Sequence, residues 1–99
     1  MLGRSSNSNV VELNESFKNY DAIYVSCFTK NTIDASKVSS SIFVFSEDID
    51  VGDYIMPLQE SAYTSWQKVT LTISSETSFT IKASNANVQF YITVIGINL

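Results

Sequence analysis

The sequence predicts an all-β domain, an antiparallel β-sandwich or jelly-roll-like fold of about seven short strands. Three observations carry that expectation. The last third of the chain alternates apolar and polar residues with period two. Helical periodicity is confined to two short stretches, Glu12 to Tyr20 and Asp34 to Ser39, each long enough for a turn. Serine, threonine and asparagine dominate the polar positions, a mixture that suits solvated strands and turns.

The first strand is short and contains Val10, Val11 and Leu13. The second runs from Ala22 to Thr29, with Ile23, Val25 and Cys27 on one side and Ala22, Tyr24, Ser26 and Phe28 on the other. The third, Ser41 to Ser46, is apolar on both faces. The fourth, Asp53 to Met56, stops at Pro57, the only proline. Val69, Leu71 and Ile73 alternate with Lys68, Thr70 and Thr72 in the fifth. Phe79, Ile81 and Ala83 alternate with Thr80 and Lys82 in the sixth. Both have the pattern of half-buried antiparallel strands. Ser74 to Ser78 and Asn85 to Asn87 are turn chemistry. The final strand, Val88 to Ile97, again carries apolar residues on both sides. Such a strand lies centrally in a sandwich or meets another subunit. Met1 to Asn9 is polar and is expected to be a flexible tail, which leaves one β domain over residues 10–99.

Composition narrows the function. The chain has 99 residues, one domain's worth, and a domain this small often gains stability by assembling with copies of itself. The net charge is -4, and the six cations, Arg4, Lys18, Lys30, Lys37, Lys68 and Lys82, are scattered. That argues against nucleic acid and against an anionic membrane surface as partners. No apolar run reaches the ~18 residues of a membrane span. The N-terminus lacks the apolar core of a signal peptide, so a protein acting outside a cell is expected to leave by lysis or within a particle.

Catalysis is not expected. The chain has no histidine, so neither a Ser-His-Asp nor a Cys-His arrangement can be built. The three glycines form no phosphate loop, and no cofactor is implied. Cys27, the only cysteine, reads as a small buried hydrophobe.

Two clusters remain as candidate ligand contacts. Asp48, Asp50 and Asp53 lie in an acidic stretch from Glu47. They read first as a solvated turn, and second as a weak calcium site or an acceptor of sugar hydroxyls; the ring of spaced ligands of a calcium loop is absent. Tyr54, Tyr63 and Trp66 stand among short polar residues, a composition that suits sugars and protein receptors. Trp66 has two readings, a core or subunit-interface residue and a ligand anchor. If Glu47 to Gln67 is not the binding surface, Asn31 to Ser41 is the alternative.

Three stretches resemble the small C-terminal β domains of tailed-phage tail fibres and tailspikes. They are Val11-Glu-Leu-Asn-Glu-Ser-Phe-Lys-Asn-Tyr-Asp-Ala-Ile-Tyr-Val25, Thr77-Ser-Phe-Thr-Ile81 and Ile92-Thr-Val-Ile-Gly-Ile97. Together they frame the domain, while Asn31 to Gln67 matches no such pattern. The resemblance implies a homotrimer at the tip of a virion tail fibre, made in the host cytoplasm and released by lysis, that touches a glycan or protein on the host surface. A structural virion protein, such as a capsid decoration or tail-assembly component, and a free carbohydrate-binding module are the alternatives.

Overall fold

A computed structural model describes residues 1–5, 9–29, 39–56, 69–83 and 90–99. The strands are β1 (Gly3–Ser5), β2 (Val10–Glu12), β3 (Ala22–Thr29), β4 (Ser39–Phe45), β5 (Gly52–Met56), β6 (Val69–Ser75), β7 (Ser78–Ala83) and β8 (Phe90–Ile97). They form two four-stranded sheets, packed together as an all-β sandwich. Sheet I has the order β1-β8-β3-β4 and sheet II the order β2-β7-β6-β5, and every pairing is antiparallel. The nested pairs β1–β8 and β2–β7 are those of a jelly roll. The inner strands depart from it, because β3 pairs with its successor β4, and β5, β6 and β7 form a meander.

Period-two alternation fixes which side chains meet between the sheets. Ile23, Val25 and Cys27 of β3 and Phe90, Ile92 and Val94 of β8 point inward from sheet I. Val69, Leu71 and Ile73 of β6, with Phe79 and Ile81 of β7, point inward from sheet II. A one-residue slip in any of these strands would turn its apolar set to water, so burial locks the register. Two 3₁₀ turns close one end. In the first, Phe17–Asn19, the Ser16 hydroxyl caps the Lys18 amide, and Phe17 enters the core. The second is Ser46–Asp48. Lys18 Nζ joins the two turns by donating to the Ser46 and Ile49 carbonyls at 2.7 and 2.8 Å.

The alternating strands lie where the sequence places them, and two details differ. The stretch Met1 to Ser5, expected to belong to a flexible tail, instead supplies edge strand β1 and a buried Leu2 whose amide donates to the Val94 carbonyl. Three residues carry no readable period, so a strand this short is set by its partner. The β6–β7 loop shrinks to Glu76 and Thr77. Two-residue hairpins favour turns with positive φ, yet no residue other than Gly52 has one among the described residues. The irregularity between Ile73 and Ser75 supplies the extra twist instead. Finally, Gly96 is fixed by proximity. A Cβ there would lie 2.5 Å from the Tyr20 ring, which fills the end of the sandwich behind β8. The expected turns at 34–38 and 85–87 lie outside the described residues.

Candidate functional site

The acidic and aromatic residues singled out in the sequence do not converge where the structure describes them. Asp48 ends the second 3₁₀ turn, and Asp50 follows it; both are exposed. Tyr54 pairs with the buried Leu71, so its ring points inward and packs against the core. Its hydroxyl donates to the Asp50 carbonyl at 2.6 Å and accepts from the Asp50 amide at 2.9 Å. Tyr54 thus clamps the chain that enters β5. Asp53, one residue earlier, points the opposite way and accepts a hydrogen bond from Thr72 Oγ1 at 2.8 Å. Tyr63 and Trp66 lie outside the described residues. Among the described residues, no three acidic or thiol groups gather closely enough to hold a metal ion.

Removing the Tyr54 hydroxyl tests the clamp. Tyr54→Phe keeps the packed ring and loses both hydrogen bonds. It is expected to lower unfolding stability by about 1–2 kcal/mol, read by urea denaturation, and to speed amide exchange at Asp50.

Cys27 is buried beside β4, and burial pushes its thiol up to about 12, opposed by a backbone hydrogen bond at Ser40. This side chain is no nucleophile at neutral pH. Its raised value also makes stability depend on alkali. Between the ordinary 9.0 and about 12 the folded state holds a proton that the unfolded state has lost. The Cys27 contribution is complete below the lower value and disappears as pH rises through the upper one. Stability should therefore fall across that window by at most about 1.4 kcal/mol per pH unit from this group. Cys27→Val is expected to flatten the slope, as measured by urea midpoints.

The two outer faces differ sharply. Sheet II presents Glu12, Asp53, Thr70, Thr72, Ser74, Ser78, Thr80 and Lys82 outward, with Val10 and Ile55 interspersed. Sheet I presents aromatic and aliphatic side chains. Ile95, Tyr24 and Phe43 form one row across β8, β3 and β4, and Ile97, Ala22 and Phe45 form the next. Ala22 in that row is fully buried. Tyr91 and Phe28 lie beside each other near the other end. Between them runs a polar row, Arg4, Thr93, Ser26 and Ser41. Phe43 and Phe45 meet edge to face at 5.7 Å.

Phe28, Phe43, Phe45, Tyr91 and Ile95 each leave 38–48% of their surface exposed. Phe43, Phe45 and Ile95 expose roughly 250 Å² on one side of the polar row, and Phe28 and Tyr91 roughly 150 Å² on the other. Only together do these two patches reach the size of the largest apolar patch of an ordinary monomer, which is commonly functional. The sequence carried the signal in Ser41 to Ser46 and Val88 to Ile97, both apolar on two sides. What it lacked was the pairing that puts these strands on either side of β3.

A cleft of about 390 Å³ adjoins this face at the Phe45 end. It is lined by Lys18, Tyr20, Asp21, Phe45, Ser46, Glu47 and Leu99. Lys18 is engaged with two carbonyls, and Asp21 Oδ2 accepts from the Leu99 amide at 2.7 Å. Tyr20 donates to Glu15 Oε2, a bond that holds its phenol above the ordinary range, with burial and the Glu15 charge adding to the effect.

Comparison with known proteins finds no matching family model, no matching curated protein and no matching solved structure.

Proposed function

We propose that this chain is a non-catalytic assembly and receptor-binding module, the distal β domain of a phage tail fibre, which forms a homotrimer through the outer face of sheet I. The observation that carries this reading is the contrast between the sheets. One outer face is Ser/Thr-rich and hydrated, and the other exposes five large apolar side chains. Burying a face of that kind against copies of the same chain is the direct way to remove it from water. The stretches that resemble fibre domains fall on β2 to β3, on β7 and on β8. The absence of histidine and the burial of the single thiol fit a binding role better than a chemical one.

In this reading the surface left uncovered by assembly touches a host glycan or protein, with Glu47 to Gln67 as the receptor-facing segment. The protein would sit on the virion tail after release by lysis. Among the described residues, no helix is long and apolar enough to cross a membrane. A structural virion protein would use the same apolar face and have no receptor.

Labelling host cells with the fluorescent protein distinguishes the two. The receptor-binding reading expects saturable labelling that competes with phage adsorption. It further expects Trp66→Ala to weaken binding by roughly 1–3 kcal/mol while the protein stays folded. Absence of labelling would leave the structural role and remove the receptor.

A further inference from the structure

We infer that the cleft at the Phe45 end of the sandwich is a subsite for one neutral sugar unit of a glycan; the inference rests on the proposal that the chain binds a host surface, and it names the chemistry that is bound. The cleft lies where β3 begins and where β4 and β8 end. Asp21 and Glu47 stand past those strand ends, so the cleft opens at the end of the sandwich and not under the face proposed to assemble. Phe45, in the last outward row of sheet I, is where the cleft meets that face. The volume is about 390 Å³, near the lower end of the roughly 300–1,000 Å³ of small-ligand sites. That suits a single ring with its substituents.

Internal hydrogen bonds hold the lining in place before any ligand arrives. The Leu99 amide donates to Asp21 Oδ2 at 2.7 Å, which leaves Oδ1 without a partner among the described residues. Lys18 Nζ donates to the Ser46 and Ile49 carbonyls, which flank Glu47, and the Ser46 amide donates to the Asp21 carbonyl at 2.9 Å. The turn that carries Glu47 is thus tied at both ends. The Glu47 carboxylate itself has no hydrogen-bond or ion-pair partner among the described residues. Two free acceptors therefore share one cleft with the Phe45 ring, which is 46% exposed. Acceptors beside an aromatic surface match a pyranose, which carries hydroxyl donors around its rim and apolar C–H groups on its faces. Charge decides which sugars fit. Lys18, the one cation of the lining, already directs two of its three N–H groups at carbonyls. Two carboxylates then oppose any anion, so an acidic sugar is repelled. A neutral sugar meets acceptors that lose little freedom on binding.

Amide chemical shifts of the isotope-labelled full chain, titrated with glucose, galactose, N-acetylglucosamine and glucuronate, test the subsite. A neutral sugar is expected to shift the amides of Asp21, Phe45, Glu47 and Leu99 with a Kd in the millimolar range, and glucuronate to bind roughly tenfold more weakly than glucose. Asp21→Asn keeps an acceptor for the Leu99 amide, and Glu47→Gln changes an exposed side chain, so melting should be unchanged in both. Each is expected to weaken neutral-sugar binding roughly fivefold, and together they should erase the difference between glucose and glucuronate. Cleft amides that no neutral sugar shifts, or glucuronate binding as tightly as glucose to the wild type, would overturn the subsite. Host-cell labelling that persists beside either result would leave the receptor reading standing. Cleft shifts as expected from a protein that labels no host cells would overturn the receptor reading and keep the subsite.

Discussion

Phe79→Ala is expected to lower unfolding stability by about 3–5 kcal/mol. Phe79 is fully buried on β7, near the middle of sheet II, between Val11 of β2 and Ile73 of β6. Its ring centroid lies 5.7 Å from that of Phe17, tilted by 54°. Truncation would remove that contact and open a void between the sheets and the first 3₁₀ turn, with close packing on every side to resist collapse. A small domain holds roughly 5–15 kcal/mol in all, so this one side chain decides about a fifth or more of it. Urea denaturation at fixed protein concentration measures the effect. Lys82→Ala, on the exposed side of the same strand, is the control and should change stability by less than about 0.5 kcal/mol. A loss below 1 kcal/mol at Phe79 would place the ring outside the core.

Ile95→Asp is expected to abolish assembly and leave the fold intact. Ile95 lies on β8 next to Tyr24 and in the same row as Phe43 beyond it, outward-facing and 39% exposed. In an isolated copy the new carboxylate remains in water. The cost is then that of a poor strand former on a sheet surface, about 1 kcal/mol. Between copies the same carboxylate would be desolvated and unpaired, costing several kcal/mol of association, or more than a hundredfold in affinity. Sequence alone expects this substitution to break either folding or assembly, since β8 is apolar on both sides; the position of Ile95 on the outer face separates the two outcomes. Circular dichroism and thermal melting report the fold, and sedimentation reports the association. A variant that fails to fold at all would mean that this face belongs to the core.

The fold was legible because burial in a two-layer sandwich imposes period two, and β6 and β7 display it without interruption. The positions Val69, Leu71, Ile73, Phe79 and Ile81 are all core, as their alternation implies. β1 was not legible because a three-residue edge strand is set by its neighbour β8 rather than by its own pattern. The site was less legible for a related reason. Tyr54 has the composition of a surface anchor, but parity turns it inward, and a single backbone clamp uses its hydroxyl. Asp53 and Tyr54 are adjacent in sequence and on opposite faces of sheet II, so an acidic and aromatic run in sequence does not make a cluster in space. The aromatic face arises from β3, its successor β4 and the distant β8, and only the pairing of β3 with both β4 and β8 assembles it.

The molar mass of the wild-type protein in solution, measured by light scattering across a wide concentration range, tests the account most directly. Assembly through sheet I predicts a mass above that of the 11.0 kDa chain, three times that value for the trimer, collapsing to one chain in Ile95→Asp. A wild-type mass of a single chain at the highest concentration would contradict it.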